Sequence, residues 1–237
     1  MRGSNKHNDD VAIIANNLSL SLPSAKGDVS ILKTISFSVP KHKKIAITGP
    51  SGSGKTSLLM LLAGLEKPTN GELSVYGHAL HQLSNEQLTE IRNRHIGIVF
   101  QEFHLLPTMT ALENVALPLE LRGDDAFLWD KAKDTLTQVG LEHRLSHYPS
   151  QLSGGEQQRT AIARACVGKP DMLLADEPTG NLDQATGEHI ISMLFNMQQL
   201  YGATLLLITH DPSLAQRCDI EIRMQDGQVI DIIEQSS

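Results

Sequence analysis

Apolar and polar positions alternate early in this chain and change to a helical period later. Strand-like runs come first, at 12–22, 30–39 and 44–48. The third leads directly into a glycine-rich loop and then an apolar helical stretch at 56–65, so a strand–loop–helix unit is expected. A turn at Pro68-Thr69-Asn70-Gly71 precedes an expected strand at 72–76, and residues 96–100 read as a buried strand. From 111 to 167 the pattern is mostly helical, with breaks expected at Pro118, Gly123, Pro149 and the pair Gly154-Gly155. That stretch is read as an inserted α-helical subdomain, about 102–167. A buried strand at 172–175, a helix at 184–200, a strand at 204–209, and a short helix and hairpin complete the chain. Strands alternating with helices imply an α/β domain with a mainly parallel sheet, spanning residues 11–235 without repeats or an interdomain linker.

Composition narrows the function. With 237 residues, 40 % hydrophobic and 20 % charged, the chain is long enough and apolar enough to bury a core. A net charge of −7 gives no electrostatic footprint for a nucleic acid, so none is expected as a partner. Cys166 and Cys218 lie far apart without metal-like spacing and read as reduced thiols of a cytoplasmic protein. The longest apolar stretch, 58–65, falls well short of the roughly 20 residues of a spanning helix, so membrane association is expected through a partner. The opening Met1-Arg2-Gly3-Ser4 resembles an artificial leader, and residues 1–10 are set aside as polar.

The glycine-rich loop carries the chemistry. GPSGSGKT, residues 49–56, has Gly49, Gly54, Lys55 and Thr56 at the spacing of a phosphate-binding P-loop, between a strand and a helix. Gly49, Ser51, Gly52, Ser53 and Gly54 would offer backbone N–H groups to phosphate oxygens, and Pro50, which has no N–H, would shape the loop between them. Lys55 would reach the β/γ-phosphates of ATP, Thr56 would offer its hydroxyl to Mg²⁺, and Ser57 is the last of the candidate nucleotide-binding residues. This chemistry also needs a carboxylate at the end of a buried strand, and Asp176 supplies one on the metal side. Glu177 follows and, pointing differently, reads as general base on the attacking water.

LSGGEQQR at 152–159 resembles the signature motif of ABC ATPases, and ADEPTGNLD at 175–183 resembles that family's Walker B, catalytic glutamate and D-loop. Gln101, ending IGIVFQ, and His210, in LLLITHD, match its Q-loop and H-loop, so the motifs run in family order through nearly the whole chain. The resemblance implies the ABC-ATPase version of the P-loop NTPase fold, with an N-terminal antiparallel β subdomain and the inserted α-helical subdomain. It further implies a homodimer formed on ATP binding. Ser153, Gly154 and Gly155 of one copy would complete the other's site, His210 would contact the γ-phosphate, Gln101 would sense Mg²⁺ and the membrane partner, and Asp183 would couple the two sites. HLLPTMTALENV at 104–115, with TGNLD, resembles the lipoprotein-releasing (LolD-like), macrolide-export (MacB-like) and, most of all, YbbA-like subunits. That implies work on membrane-embedded permease subunits from the inner face of the cell membrane. One departure concerns the base: the family's stacking aromatic is missing from 18–29, which leaves apolar contact from Leu22 or Pro23.

Other features read more plainly. His143 and His147, four apart, lack a third ligand nearby and read as surface histidines, and Trp129 reads as packing for the helical insert. Leu105, Leu106 and Met109, beside Gln101, read as a groove for a partner's helix rather than as core. Two alternatives stand beside the transporter reading: a soluble ABC ATPase of the DNA-repair or translation type, and an FtsE-like regulator of cell-wall remodelling. The first usually carries a long coiled coil or a second cassette, and neither is here; the second shares this architecture.

Overall fold

Alternation over the first strands builds an antiparallel sheet with one buried face. In the computed structural model, which describes residues 10–25, 27–123 and 126–235, β1 (Val11–Leu22) pairs with β2 (Val29–Pro40) on one edge and β4 (Asn70–Val75) on the other; β5 (His78–Ala79) extends the order to β2-β1-β4-β5. Ile13, Ala15, Leu18 and Leu20 point inward at 2 % exposure or less. Of the polar leader, residues 1–9 lie outside the described residues, while the Asp10 carbonyl accepts the Lys41 N–H at 2.9 Å.

The chain divides into two compact units, Met1–Glu90 with Leu206–Ser237, and Ile91–Leu205. It crosses between them within α2 (Asn85–His95) and again within β8 (Thr204–Ile208). Helix α2 was not foreseen, because Leu88 is its one buried residue and no apolar stripe marks it.

In the first unit, β3 (Lys44–Thr48) runs parallel to β9 (Ile220–Gln225), with Ile45 opposite Ile220, and β10 (Gln228–Glu234) closes the edge antiparallel. Ile45, Ala46 and Ile47 are fully buried, as are Leu58, Leu59, Leu61 and Leu62 of α1 (Lys55–Leu62). Helix α1 ends three residues earlier than expected, where Gly64 at φ +62° turns the chain.

In the second unit, β6 (Ile96–Val99) is parallel to β7 (Met172–Asp176). Helices α3 (Ala111–Arg122), α4 (Leu128–Gln138) and α5 (Gly154–Cys166) pack on one another, and α6 (Gln184–Tyr201) packs on α5. One expected break is not a break. Pro118 sits inside α3, where the lost N–H bond to Asn114 is outweighed by buried Val115, Ala116 and Leu119 and by the capping box of Thr110 with Glu113. Gly154 and Gly155 open α5 behind the N-cap Ser153. Gly97 on β6 is required by contact, since a Cβ there would lie 2.2 Å from the Ala165 carbonyl oxygen on α5.

Candidate functional site

In the first unit, residues 49–54 join β3 to α1, with the Ser53 N–H donating to the Pro50 carbonyl at 3.2 Å. Gly49 has φ +145°, and a Cβ on it would lie 2.1 Å from the Met224 carbonyl oxygen, so glycine alone lets the chain leave β3 beside β9. The Gly227 N–H donates to the Ser53 carbonyl at 3.2 Å and the Lys33 N–H to the Gly227 carbonyl at 2.8 Å, so β2 and the β9–β10 turn brace the loop. Lys55 is 8 % exposed, and its Nζ donates to the Gly49 and Pro50 carbonyls, both at 2.9 Å. The ammonium is thus held over the mouth of the loop by its own backbone. Ser53 Oγ is buried and has no hydrogen-bond partner among the described residues. Pro50, Ser51, Gly52 and Thr56 are exposed and Ser57 is half-buried. A helix N-terminus, a cation and an exposed hydroxyl around a glycine-rich loop fit a polyphosphate carrying a divalent metal.

His210 belongs to the same unit. The Thr209 N–H donates to the Ile47 carbonyl at 3.1 Å, and Thr209 Oγ1 accepts from the Asp211 N–H at 3.0 Å. The exposed His210 is therefore pinned from both sides, beside the strand that feeds the phosphate loop. Asp211 caps the short helix α7 (Pro212–Ala215). Hydrogen bonding from Ser213, aided by the charge of His210, holds its carboxyl below the usual range.

The second unit gathers the remaining motifs. Asp176 ends β7 half-buried, and Glu177 turns the chain at φ +42°, with the Gly180 N–H donating to its carbonyl at 3.0 Å. Asp183 caps α6 by accepting the Thr186 N–H at 3.0 Å, and hydrogen bonds from Thr186 keep its carboxyl ionised below the usual range. Gln101 is exposed and lies along Gly180, where a Cβ would come 2.8 Å from its Nε2; its carbonyl accepts from Asn181 Nδ2 at 3.2 Å. Arg164 of α5 donates to the Phe103 carbonyl at 2.9 Å and the His104 carbonyl at 2.5 Å, fixing the segment behind Gln101. Neither Asn181 nor Arg164 stood out in the sequence, since each serves distant backbone. Motif position alone marked Asn181, inside TGNLD, and nothing marked Arg164.

Ser153, Gly154 and Gly155 lead α5. Ser153 Oγ accepts the Glu156 N–H at 3.3 Å, the Ser153 N–H donates to Glu156 Oε2 at 2.8 Å, and Arg144 Nε donates to Glu156 Oε1 at 2.7 Å. The Ser153 N–H, with help from Arg144, lowers the Glu156 carboxyl to about 2. These residues line one side of a cleft of about 770 Å³ that Asn181, Asp183 and Thr186 line from the α6 side. The D-loop and signature thus share a surface within the unit.

Outside the motifs, Leu22 and Val29 face each other at the loop end of the β1–β2 hairpin, 39 % and 48 % exposed. That supplies an apolar patch where the sequence pointed to Leu22 or Pro23. Trp129 is half exposed instead of packed, because α4 turns its neighbours Leu128, Ala132 and Leu136 inward. His143 is exposed, and His147 Nε2 lies 3.1 Å from Arg144 Nη1. Cys166 and Cys218 are buried free thiols, each pushed up to about 12 by burial. No helix among the described residues is long and apolar enough to cross a membrane.

Comparison with known proteins agrees with this geometry. Residues 32–180 match the ABC transporter family. The chain is 48 % identical over 213 residues to the ABC transporter ATP-binding protein YbbA of Escherichia coli (strain K12), covering 90 % of this chain and 93 % of that one. It is 45 % identical over 201 residues to the lipoprotein-releasing system ATP-binding protein LolD of Shewanella denitrificans, covering 84 % and 86 %. Among solved structures, the dimeric ATP-binding cassette MJ0796 bound to ADP and Pi superposes with a TM-score of 0.88 at 36 % identity, over 95 % of this chain and 99 % of that one. A second dimeric structure of that cassette gives 0.87 at 37 % identity. The chain therefore belongs to the ABC transporter family, as an ATP-binding and ATP-hydrolysing subunit with the P-loop ABC-ATPase fold.

Proposed function

We propose that this subunit is the ATP-driven engine of a membrane complex of the lipoprotein-releasing or macrolide-export kind, working as a homodimer that closes on ATP. The observation that carries the reading is that one chain holds two anion-accepting helix N-termini, the phosphate loop before α1 and the Ser153 cap before α5. A single nucleotide has no use for both within one subunit's motif set, whereas a head-to-tail pair uses each twice. The relatives support the mode of work: LolD is named for lipoprotein release, and the MJ0796 cassette is described as dimeric.

In this reading Lys55 leaves the Gly49 and Pro50 carbonyls to meet the β/γ-phosphates, and the backbone N–H groups of Gly49 and residues 51–54 orient them. Thr56 and Asp176, with Gln101 as sensor, hold Mg²⁺, which when bound neutralises charge on the phosphate oxygens. Glu177 accepts a proton from the attacking water, and His210 orients that water against the γ-phosphate. Ser153 and Gly155 reach the γ-phosphate held by the opposite copy, and Asp183 relays between the sites. The exposed Leu106, with Leu105 and Met109, receives a permease helix, which places the dimer on the inner face of the cell membrane; the permease sets the cargo.

Glu177→Gln should bind ATP without hydrolysing it, because the amide keeps size and hydrogen bonding but not basicity. ATP trapped at the interface then stabilises the dimer by mass action. Size exclusion with light scattering should give a dimer with Mg-ATP and a monomer without it, and Ser153→Arg in the same protein should abolish that dimer. A monomer with ATP bound, or a dimer indifferent to Ser153→Arg, overturns action of the signature in trans.

A further inference from the structure

Gln158 lies on α5, five residues past the Ser153 cap, and is completely buried. Its Nε2 donates to the Pro178 carbonyl at 2.7 Å and lies 3.5 Å from the Phe100 carbonyl. These two acceptors set the amide's orientation, since the reverse would place Oε1 against two carbonyl oxygens. Oε1 is buried with no hydrogen-bond partner among the described residues. A leucine of similar size would fill the space without desolvating an idle acceptor. What the amide adds is therefore the bond to Pro178.

Both acceptors sit next to residues of the hydrolytic reading. Phe100 directly precedes Gln101, and Pro178 directly follows Glu177. Glu177 holds φ +42°, in the left-handed region and in front of a proline, where sterics favour extended backbone. Such a conformation persists where the surroundings over-determine it. On one side the Gly180 N–H ties the Glu177 carbonyl at 3.0 Å; on the other, Gln158 ties the next carbonyl.

We propose that Gln158 is a positioning residue for ATP hydrolysis: by fixing the Pro178 carbonyl it keeps Glu177 in its left-handed conformation and ties the signature helix to the same subunit's base. The inference rests on the reading of Glu177 as general base. Helix α5 then has a contact at each end of the cycle, Ser153 and Gly155 toward the opposite copy's nucleotide and Gln158 toward its own Glu177. A displacement of α5 at its N-terminus passes to the base through this amide.

The test compares full-length wild type, Gln158→Leu, Glu177→Gln and the double variant in ATPase turnover, equilibrium ATP binding and thermal melting. Gln158→Leu should lower kcat about tenfold to a hundredfold, the scale of a misplaced catalytic group. ATP affinity should stay within about twofold. In the Glu177→Gln background the same change should cost nothing further in single-turnover rate. A kcat within about twofold of wild type, a parallel loss of affinity and melting temperature, or an equal further loss in the double variant each overturns the proposal. A Glu177→Gln protein that hydrolyses at the wild-type rate removes the base reading instead, whereas an inactive Glu177→Gln beside a fully active Gln158→Leu removes Gln158 alone. Should Gln158→Leu not fold, Gln158→Glu decides, because its carboxyl can donate to Pro178 only when protonated. Its rate relative to wild type should climb as pH falls from about 8 to about 6, the range into which burial lifts a carboxyl; a ratio independent of pH overturns the proposal.

Discussion

Lys55 shows how one residue prepares a site before its ligand arrives. Its ammonium is nearly buried and rests on two neutral carbonyls at 2.9 Å. Phosphate oxygens are charged and therefore better acceptors, so binding trades neutral hydrogen bonds for charge-assisted ones. Lys55→Ala should accordingly weaken ATP binding about tenfold to a hundredfold, the equivalent of one charge-assisted bond of roughly 1.5–3 kcal/mol. Equilibrium titration checks this, and an unchanged affinity would remove Lys55 from the phosphate site. The contrast with base recognition is instructive. In the proposed reading Leu22 and Val29 would offer the base area but no ring and no directed hydrogen bond, so the phosphate end of the nucleotide would supply most of the binding.

At the scale of the element, α5 is organised from its first turn. Ser153 and Glu156 satisfy each other's backbone N–H groups, and Arg144 closes the far side of the carboxylate. The same arrangement holds Glu156 ionised down to about 2, chiefly through the Ser153 N–H. A depressed carboxyl stabilises the fold above its unfolded value near 4.5, and that contribution is lost as pH falls from there toward 2. Glu156→Gln should therefore melt below wild type near neutrality, by a margin corresponding to roughly 1–2 kcal/mol. The gap should narrow steadily as the solution is acidified through that window. Thermal melts of both proteins across the acid range test it, and a gap constant with pH would mean that the carboxylate charge contributes nothing.

For the whole molecule, the exposed residues behind Gln101 are the proposed point of connection to a membrane partner. Leu106 is 40 % exposed although its backbone is clamped by buried Asn114, at 2.8 Å from its N–H and 3.1 Å from its carbonyl. An apolar side chain presented so rigidly to solvent suits a partner helix. Leu106→Glu should leave the isolated chain's ATPase within about twofold and abolish copurification of the membrane partner; an unchanged complex would place the docking surface elsewhere. Much of this was legible along the chain. The phosphate loop, the order Gln101, Ser153, Asp176, Glu177, Asp183 and His210, and the alternation of strands and helices depend on neighbours in sequence, because glycine turns, helix caps and periodicity are local properties. Helix α2 escaped notice because it buries only Leu88, and Pro118 misled because packing around Val115 and Leu119 outweighs a missing N–H. Likewise Trp129, Asn181 and Gln158 take their meaning from elements brought alongside them, Gln158 from carbonyls 20 and 58 residues away. The sequence by itself determined which groups stand as candidates for the chemistry. Only the tertiary structure decided what holds them in place, since a buried hydrogen bond between distant segments exists only once the chain has folded.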